Sequence, residues 1–278
     1  MTDRMPAPAA PEGAADAFRG RLGLAERFAD ILADTGVSHG LIGPREVPRL
    51  WERHLLNCVA IADAMDDGPI IDVGSGAGLP GVVLAIARPD VEVHLVEPLL
   101  RRTQWLHSVV AELGLSNVTV HRARAEEVAG SLVAPIVTAR AVARLDKLAR
   151  WCAPLLTPGG RLVALKGHSA AQELAEDRAA LLRYGAVRAE VTEHSCPGLS
   201  DPVLTIDVEF EGGPAVGSAG SRTKAGRGKG PRRAQRARSG VGGSGRGSAR
   251  GSAGGSAGGS GGGSTRGSGR GSGPNALE

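Results

Sequence analysis

The chain has 278 residues and a formal net charge of +4, unevenly spread. Residues 212–278 hold twelve Lys and Arg against a single acid, Glu278, so the first 211 residues carry a net −7. That last stretch also holds 24 of the 42 glycines and 11 serines, and beyond Val216 its only large apolar residues are Val241 and Leu277. Such a segment has too little to bury to offset the entropy of ordering, so a single globule is excluded and 212–278 is expected to be a disordered basic tail. No apolar run approaches the roughly 20 residues of a membrane span. The opening MTDRMPAPAAPEGAADAF has no apolar signal-peptide core,. Cys58, Cys152 and Cys196 are far apart and form no CxxC, which reads as reduced thiols in a cytosolic protein with no metal site,. Aromatic content of 3% disfavours a broad base-stacking platform,.

In chain order, the Ala/Pro-rich residues 1–18 are expected to be unstructured, with the folded domain running over 19–211. Leu22, Ala25, Phe28 and Leu32 lie at helical spacing and predict an amphipathic helix over 22–33,. A Gly/Pro-broken stretch follows, and Pro48 is placed to open a second helix over 49–65, since a first turn does not need its missing N–H,. After Asp66-Asp67-Gly68 the pattern becomes strand alternating with helix. Strands are predicted over 69–73, 91–97, 117–122, 136–139 and 161–166, and helices over 81–87, 101–113, 125–131, 145–155 and 170–183. Two last strands, 187–193 and 203–210, have no helix between them and should pair antiparallel. Alternation of this kind specifies an α/β fold, a Rossmann-like seven-stranded mixed sheet with helices on both faces.

The segment Ile70-Ile71-Asp72-Val73-Gly74-Ser75-Gly76-Ala77-Gly78-Leu79-Pro80-Gly81 joins the first of these strands to the first helix. Gly74, Gly76 and Gly78 allow a sharp turn and close approach of a ligand to backbone. The following helix N-terminus favours an anionic group. Glu97 ends the next strand, where a carboxylate can accept from both hydroxyls of a ribose,. Together these indicate a nucleoside cofactor, either a nicotinamide dinucleotide or S-adenosylmethionine. Asp72, two residues before the first glycine, is placed to meet a cationic amino-acid group. The spacing is GxGxG, although Gly76 to Gly81 also reads as GxGxxG, and no second domain is expected from this sequence to hold a dehydrogenase substrate. These features favour S-adenosylmethionine.

WERHLLN (51–57), IIDVGSGAGLPGVVLAIARP (70–89), the Arg124-Ala125-Glu126-Glu127 step, the Ala139-Arg140-Ala141 step and LVALKG (162–167) resemble the RsmG (GidB) family of bacterial small-subunit rRNA methyltransferases. The resemblance runs from about Leu22 to Phe210 and leaves the basic tail outside. It implies a class I S-adenosylmethionine-dependent methyltransferase fold. It also implies methylation of N7 of one guanine in the helix 18 loop of 16S rRNA, on naked RNA, the small ribosomal subunit or an assembly intermediate. Gly74 and Leu79 match the family's cofactor loop, Ala125 and Glu126 its adenine-side contact, and Arg140 its residue near the methyl-transfer site. The family often carries Asp where Glu97 stands.

Guanine N7 has a lone pair and no proton to lose, so alignment rather than a general base is required. This suits a sequence in which no base stands out. Cys152 and Cys196 lie in a helical run and a turn, poor settings for the thiolate that pyrimidine carbon-5 methylation needs,. Ala139-Arg140-Ala141-Val142 occupies the place of the Asn/Asp-Pro-Pro-aromatic motif of adenine-N6 enzymes. Arg140 is the expected substrate-positioning residue, able to bond guanine O6 or a phosphate. His54 and Asn57 would cap or brace the cofactor loop, with helix packing or RNA contact as the other readings of His54; Trp51 and Trp151 would pack, Lys166 would approach phosphate or solvent, and Arg101 and Arg102 would lie on the surface. Rival readings are an NAD-dependent oxidoreductase and an RNA-binding or ribosome-assembly module with a vestigial loop. The Arg/Gly/Ser tail reads as a weakly selective RNA-binding extension.

Overall fold

In the computed structural model, which describes residues 6–211, the alternating region forms one seven-stranded sheet of order β3-β2-β1-β4-β5-β7-β6. The chain enters through α1 (Ala14–Ala17) and α2 (Leu22–Ile31), then a π-helical turn over Leu32–Gly36. A 3-10 turn (Pro44–Arg49), a second π-helical turn (Leu50–Leu56) and the short α3 (Asn57–Val59) complete the N-terminal region. The sheet region runs β1 (Ile70–Val73), α4 (Gly81–Ala87), β2 (Val93–Val96), α5 (Leu100–Leu113), β3 (Val118–His121) and α6 (Ala125–Val128). It continues with β4 (Ala134–Arg140), α7 (Leu145–Cys152), β5 (Leu156–Lys166), α8 (Ala170–Arg183), β6 (Ala186–His194) and β7 (Val203–Phe210). Strands β1 to β5 are parallel; β7 pairs antiparallel with β5, and β6 antiparallel with β7. This is the class I S-adenosylmethionine-dependent methyltransferase fold expected from the sequence. The basic tail expected over 212–278 lies outside the described residues.

The inner parallel strands β1, β2 and β4 are largely buried on both faces, which explains their apolar runs, whereas the edge strand β3 is only partly buried,. One face packs against α2, α4, α5 and the N-terminal turns through Phe28, Leu55, Leu84 and Leu106; the other packs against α7 and α8 through Leu145, Leu148 and Leu181. Among the described residues no helix is long and apolar enough to cross a membrane.

Three expectations are corrected. Residues 6–18 of the segment expected to be unstructured are packed onto the domain. Ala14 and Phe18 are fully buried, Phe18 meets Trp51 edge-on at 6.1 Å, and Trp51 Nε1 donates to the Pro8 carbonyl at 2.8 Å. Prolines lower the entropy lost on ordering such a segment, and two apolar anchors suffice to hold it. The helix expected over 49–65 is broken: Pro44 and Pro48 hold the chain in a 3-10 turn, and the next turn widens to π geometry. Its apolar spacing survives the widening, so periodicity alone does not reveal it. Finally, β5 begins at Leu156 rather than 161, running through Gly159 and Gly160; a Cβ on Gly160 would lie 3.0 Å from the Pro135 carbonyl oxygen on the neighbouring strand.

Candidate active site

Strands β1 and β4 are neighbours in the sheet but not in sequence, with Asp72 opposite Thr138. At such a switch point the connections leave in opposite directions and open a crevice at the carboxyl ends of the strands. The glycine loop leaves β1 on one side of it and Arg140 ends β4 on the other.

Gly74, Gly76 and Gly78 all have positive φ, between 52° and 78°, the region where a Cβ is strained,. Gly74 is also hemmed in, since a Cβ there would lie 2.7 Å from Val142 Cγ2. Beneath the loop, Asp72 is fully buried; its Oδ2 accepts from the Gly81 N–H at 3.1 Å, while Oδ1 has no hydrogen-bond partner. The Ser75 hydroxyl donates to the Asp72 main-chain carbonyl at 2.9 Å. Burial raises the Asp72 pKa to about 7, against the opposing effect of the Gly81 N–H. Asp72 therefore anchors the loop to the start of α4 and does not line the crevice. Gly78 is likewise turned away, toward Val82 and Leu106.

Glu97 lies just past β2 with only 2% of its surface exposed. Its Oε2 accepts from Gly76 N–H at 3.1 Å and its Oε1 from Leu99 N–H at 3.0 Å. Arg102 Nη1 stands 3.6 Å from Oε2, so this arginine is exposed as expected and also pairs with the site acid. The crevice holds a cavity of about 550 Å³ lined by Gly74, Gly76, Leu79, Glu97, Arg102 and Arg140, with Leu41 and Ile42 from the N-terminal region. A second cavity of about 250 Å³ is lined by Ala125, Glu126 and Trp151 and shares Gly74, Pro98 and Val142 with the first. Val142 thus stands at the junction, carried there by Ala141, whose φ of 54° is unusual for a residue with a Cβ,.

Arg140 faces the crevice from the far side. Its Nη2 donates to the Arg53 carbonyl and to His54 Nδ1, each at 2.8 Å, and its Nη1 to the Cys58 sulfur at 3.2 Å. The Arg53 carbonyl belongs to the π-helical turn. Arg140, His54 and Ala141 also line a third cavity of about 730 Å³, whose walls include Arg49, Arg53, Asn57 and Lys166. Lys166 Nζ is held by Glu173 at 2.8 Å and the Ala143 carbonyl at 3.2 Å, so it braces the β4–α7 connection. Trp51 packs in the core, whereas Trp151 is half-buried at the wall of the small cavity, its Nε1 without a partner. Burial raises the thiol pKa of all three cysteines, so none is a ready thiolate,.

Residues 21–197 match the GidB family, described as rRNA small subunit methyltransferase G. The chain belongs to this family. It is similar to the ribosomal RNA small subunit methyltransferase G of Streptomyces avermitilis, 51% identical over 232 residues that cover 82% of this chain and 97% of that protein. The protein of the same name from Thermobifida fusca is 55% identical over 196 residues, covering 70% of this chain and 82% of that one. Among solved structures, a precorrin-6y C5,15-methyltransferase of Geobacter metallireducens shares 16% identity with a TM-score of 0.44, covering 61% of this chain and 90% of that one.

In this methyltransferase the fold brings Gly74, Gly76, Leu79, Glu97 and Arg140 around one cavity and Ala125 and Glu126 around its neighbour. Asp72 and Gly78 support the loop from below. Sequence reasoning missed Ile42, Leu99, Val142 and Glu46. The first three are apolar residues on connections, where no periodicity marks them, and Glu46 sits on a Pro-bounded turn remote in sequence from Arg140.

Proposed function

We propose that this chain transfers a methyl group from S-adenosylmethionine to N7 of one guanine in the helix 18 loop of 16S rRNA. Its partner would be that RNA, the small subunit or an assembly intermediate, and its setting the cytosol, with residues 6–211 as the catalytic unit. The observation that carries the reading is Arg140, which lines both the loop cavity and the larger open cavity and so stands where a cofactor side and an acceptor side meet.

The residues present suit the cofactor. Glu97 has lone pairs beyond the two N–H groups it already accepts, as ribose hydroxyls require. The loop from Gly74 to Leu79 leaves bare backbone for the amino-acid end. Ala125 and Glu126 border a small, largely apolar cavity suited to adenine. When bound, the cofactor supplies a methyl carbon activated by a sulfonium. Guanine N7 offers its lone pair and has no proton to surrender, so the chain needs no general base; its task is alignment and exclusion of water. Arg140 donates only, which matches O6 beside N7 on the guanine edge. The printed names of the relatives, small-subunit rRNA methyltransferases, support the acceptor class.

Two measurements test this: calorimetric titration with S-adenosylmethionine and with NAD, and mapping of N7-methylguanine in 16S rRNA from cells with and without the protein. Binding of S-adenosylmethionine and protein-dependent methylation of one guanine are expected. Binding without any methylated guanine would favour an assembly role, and a preference for NAD would overturn the cofactor assignment.

A further inference from the structure

Glu46, on the 3-10 turn Pro44–Arg49, belongs to no motif of the site, yet it ends a chain of contacts that begins at Arg140. Glu46 Oε2 is 3.1 Å from His54 Nε2, and Arg140 Nη2 is 2.8 Å from His54 Nδ1. Neutral imidazole carries one N–H and one lone pair; a guanidinium only donates and a carboxylate only accepts. Nδ1 must then accept from Arg140, and the single ring proton must sit on Nε2, donated to Glu46. Two obligate partners leave the ring one tautomer and one orientation. The ring is neutral near neutral pH, since burial and the adjacent Arg140 hold its pKa down to about 4. The other Glu46 oxygen, Oε1, stands 3.6 Å from Arg53 Nη1, on the residue whose carbonyl accepts the second Nη2–H of Arg140. Both hydrogens of Nη2 and one of Nη1 are thereby committed, which leaves Nε–H and the remaining Nη1–H as the unused donors of a residue that lines both larger cavities.

We propose that Glu46 is a positioning residue for methyl transfer: by fixing the tautomer of His54 it sets the orientation of the Arg140 guanidinium toward the acceptor base. This rests on the reading of Arg140 given above. Loss of Glu46 frees the ring to flip or to move its proton to Nδ1, which would turn an N–H against the guanidinium. An ordinary structural role would instead show as lost stability with unchanged catalysis.

The test uses the full chain and four variants: Glu46→Ala, Glu46→Asp, His54→Ala and the Glu46→Ala/His54→Ala double. Glu46→Ala is expected to lower kcat for N7 methylation about tenfold while the Kd for S-adenosylmethionine changes less than about twofold, and the double variant is no slower than His54→Ala, because contacting residues in one network couple. Glu46→Asp should recover part of the rate. Long-range ¹H–¹⁵N spectra of the His54 ring should place the proton on Nε2 in the unsubstituted protein and show mixed tautomers in Glu46→Ala. Full turnover by Glu46→Ala, additive losses in the double variant, or a ring protonated on Nδ1 at the outset would each overturn the proposal. Absence of N7-methylguanine from the unsubstituted protein would overturn the parent reading instead, and the ring spectra would still decide whether Glu46 governs His54.

Discussion

Gly81 and Asp72 fit together so closely that neither position tolerates a larger neighbour: a Cβ on Gly81 would lie 2.7 Å from Asp72 Oδ2, the oxygen that accepts the Gly81 N–H at 3.1 Å. The same Cβ would lie 2.3 Å from Leu95 Cδ2. Gly81→Ala therefore has to displace β2, α4 or the carboxylate. Overpacking of this kind typically costs about 1–3 kcal/mol. Urea denaturation should show a loss of that order, together with weaker S-adenosylmethionine binding; an unchanged midpoint and affinity would mean that α4 shifts freely over the sheet.

Asp72 makes the stability of the cofactor-free protein depend on pH in an unusual direction. Its folded pKa is raised from 3.8 to about 7, chiefly by burial, with Glu97 adding to the rise and Gly81 N–H and Arg140 opposing it. Between those values the folded chain holds the proton more tightly than the unfolded chain. This contribution to stability is therefore present at low pH and lost as pH rises toward 7, with a slope of at most about 1.4 kcal/mol per pH unit. Asp72→Asn cannot titrate, so its stability relative to the unsubstituted protein should improve from pH 5 to about pH 7 and change little beyond it,. Denaturation series at the two pH values check this, and a constant difference would mean that Asp72 is ionised throughout.

Glu97 joins two roles, since both of its oxygens already tether the loop through Gly76 and Leu99. Glu97→Ala should raise the Kd for S-adenosylmethionine roughly ten- to a hundredfold, the equivalent of about 1.5–3 kcal/mol for charge-assisted bonds. Glu97→Asp should lose less. Calorimetry on folded variants decides, and an unchanged Kd for Glu97→Ala would remove Glu97 from the cofactor site.

Arg140 should separate binding from chemistry. Arg140→Lys keeps the charge but not the fork that spans His54 Nδ1, the Arg53 carbonyl and the Cys58 sulfur,. Both Arg140→Lys and Arg140→Ala are expected to lower the methyl-transfer rate at saturating RNA, with S-adenosylmethionine affinity changed far less than in Glu97→Ala. Single-turnover rates alongside calorimetry check it; a cofactor defect matching that of Glu97→Ala would make Arg140 chiefly a cofactor ligand.

The sheet region was legible because its signals are local and mutually consistent. Helices Gly81–Ala87 and Ala170–Arg183 and strand Val203–Phe210 coincide with their expected bounds, each set by apolar spacing between turn residues. Gly74 and Glu97 were legible because a sharp turn and a strand-ending acid have few other uses. The N-terminal region was not: Phe18 and Trp51 hold residues 6–18 by contacts 33 positions apart, and the π-helical turn that carries the Arg53 carbonyl leaves the apolar spacing of Leu50–Leu56 unchanged. Asp72 was read as facing a ligand because sequence gives its place in the strand but not which side of the loop its carboxylate occupies.

The basic residues 212–278 give a prediction from charge alone, with twelve Lys and Arg against one acid beside a domain of net −7. A domain with no bulk positive field gains little long-range attraction for RNA, so most of the salt-sensitive part of RNA capture should reside in this extension. Each phosphate contact releases condensed counterions, and if about four basic residues touch phosphates at once, the logarithm of RNA affinity should fall with the logarithm of salt at a slope near −3, taking roughly 0.7 per contact for single strands. Chain ending at residue 211 should show a flatter slope and weaker capture at low salt. Its affinity for S-adenosylmethionine should be unchanged, because every residue lining the loop cavity lies between Leu41 and Val142. Filter binding of a helix 18 RNA across a salt series, with both chains, makes the comparison. Identical slopes would transfer the RNA-binding role to the folded domain, where Arg49, Arg53 and Arg140 around the open cavity form the surface to substitute next.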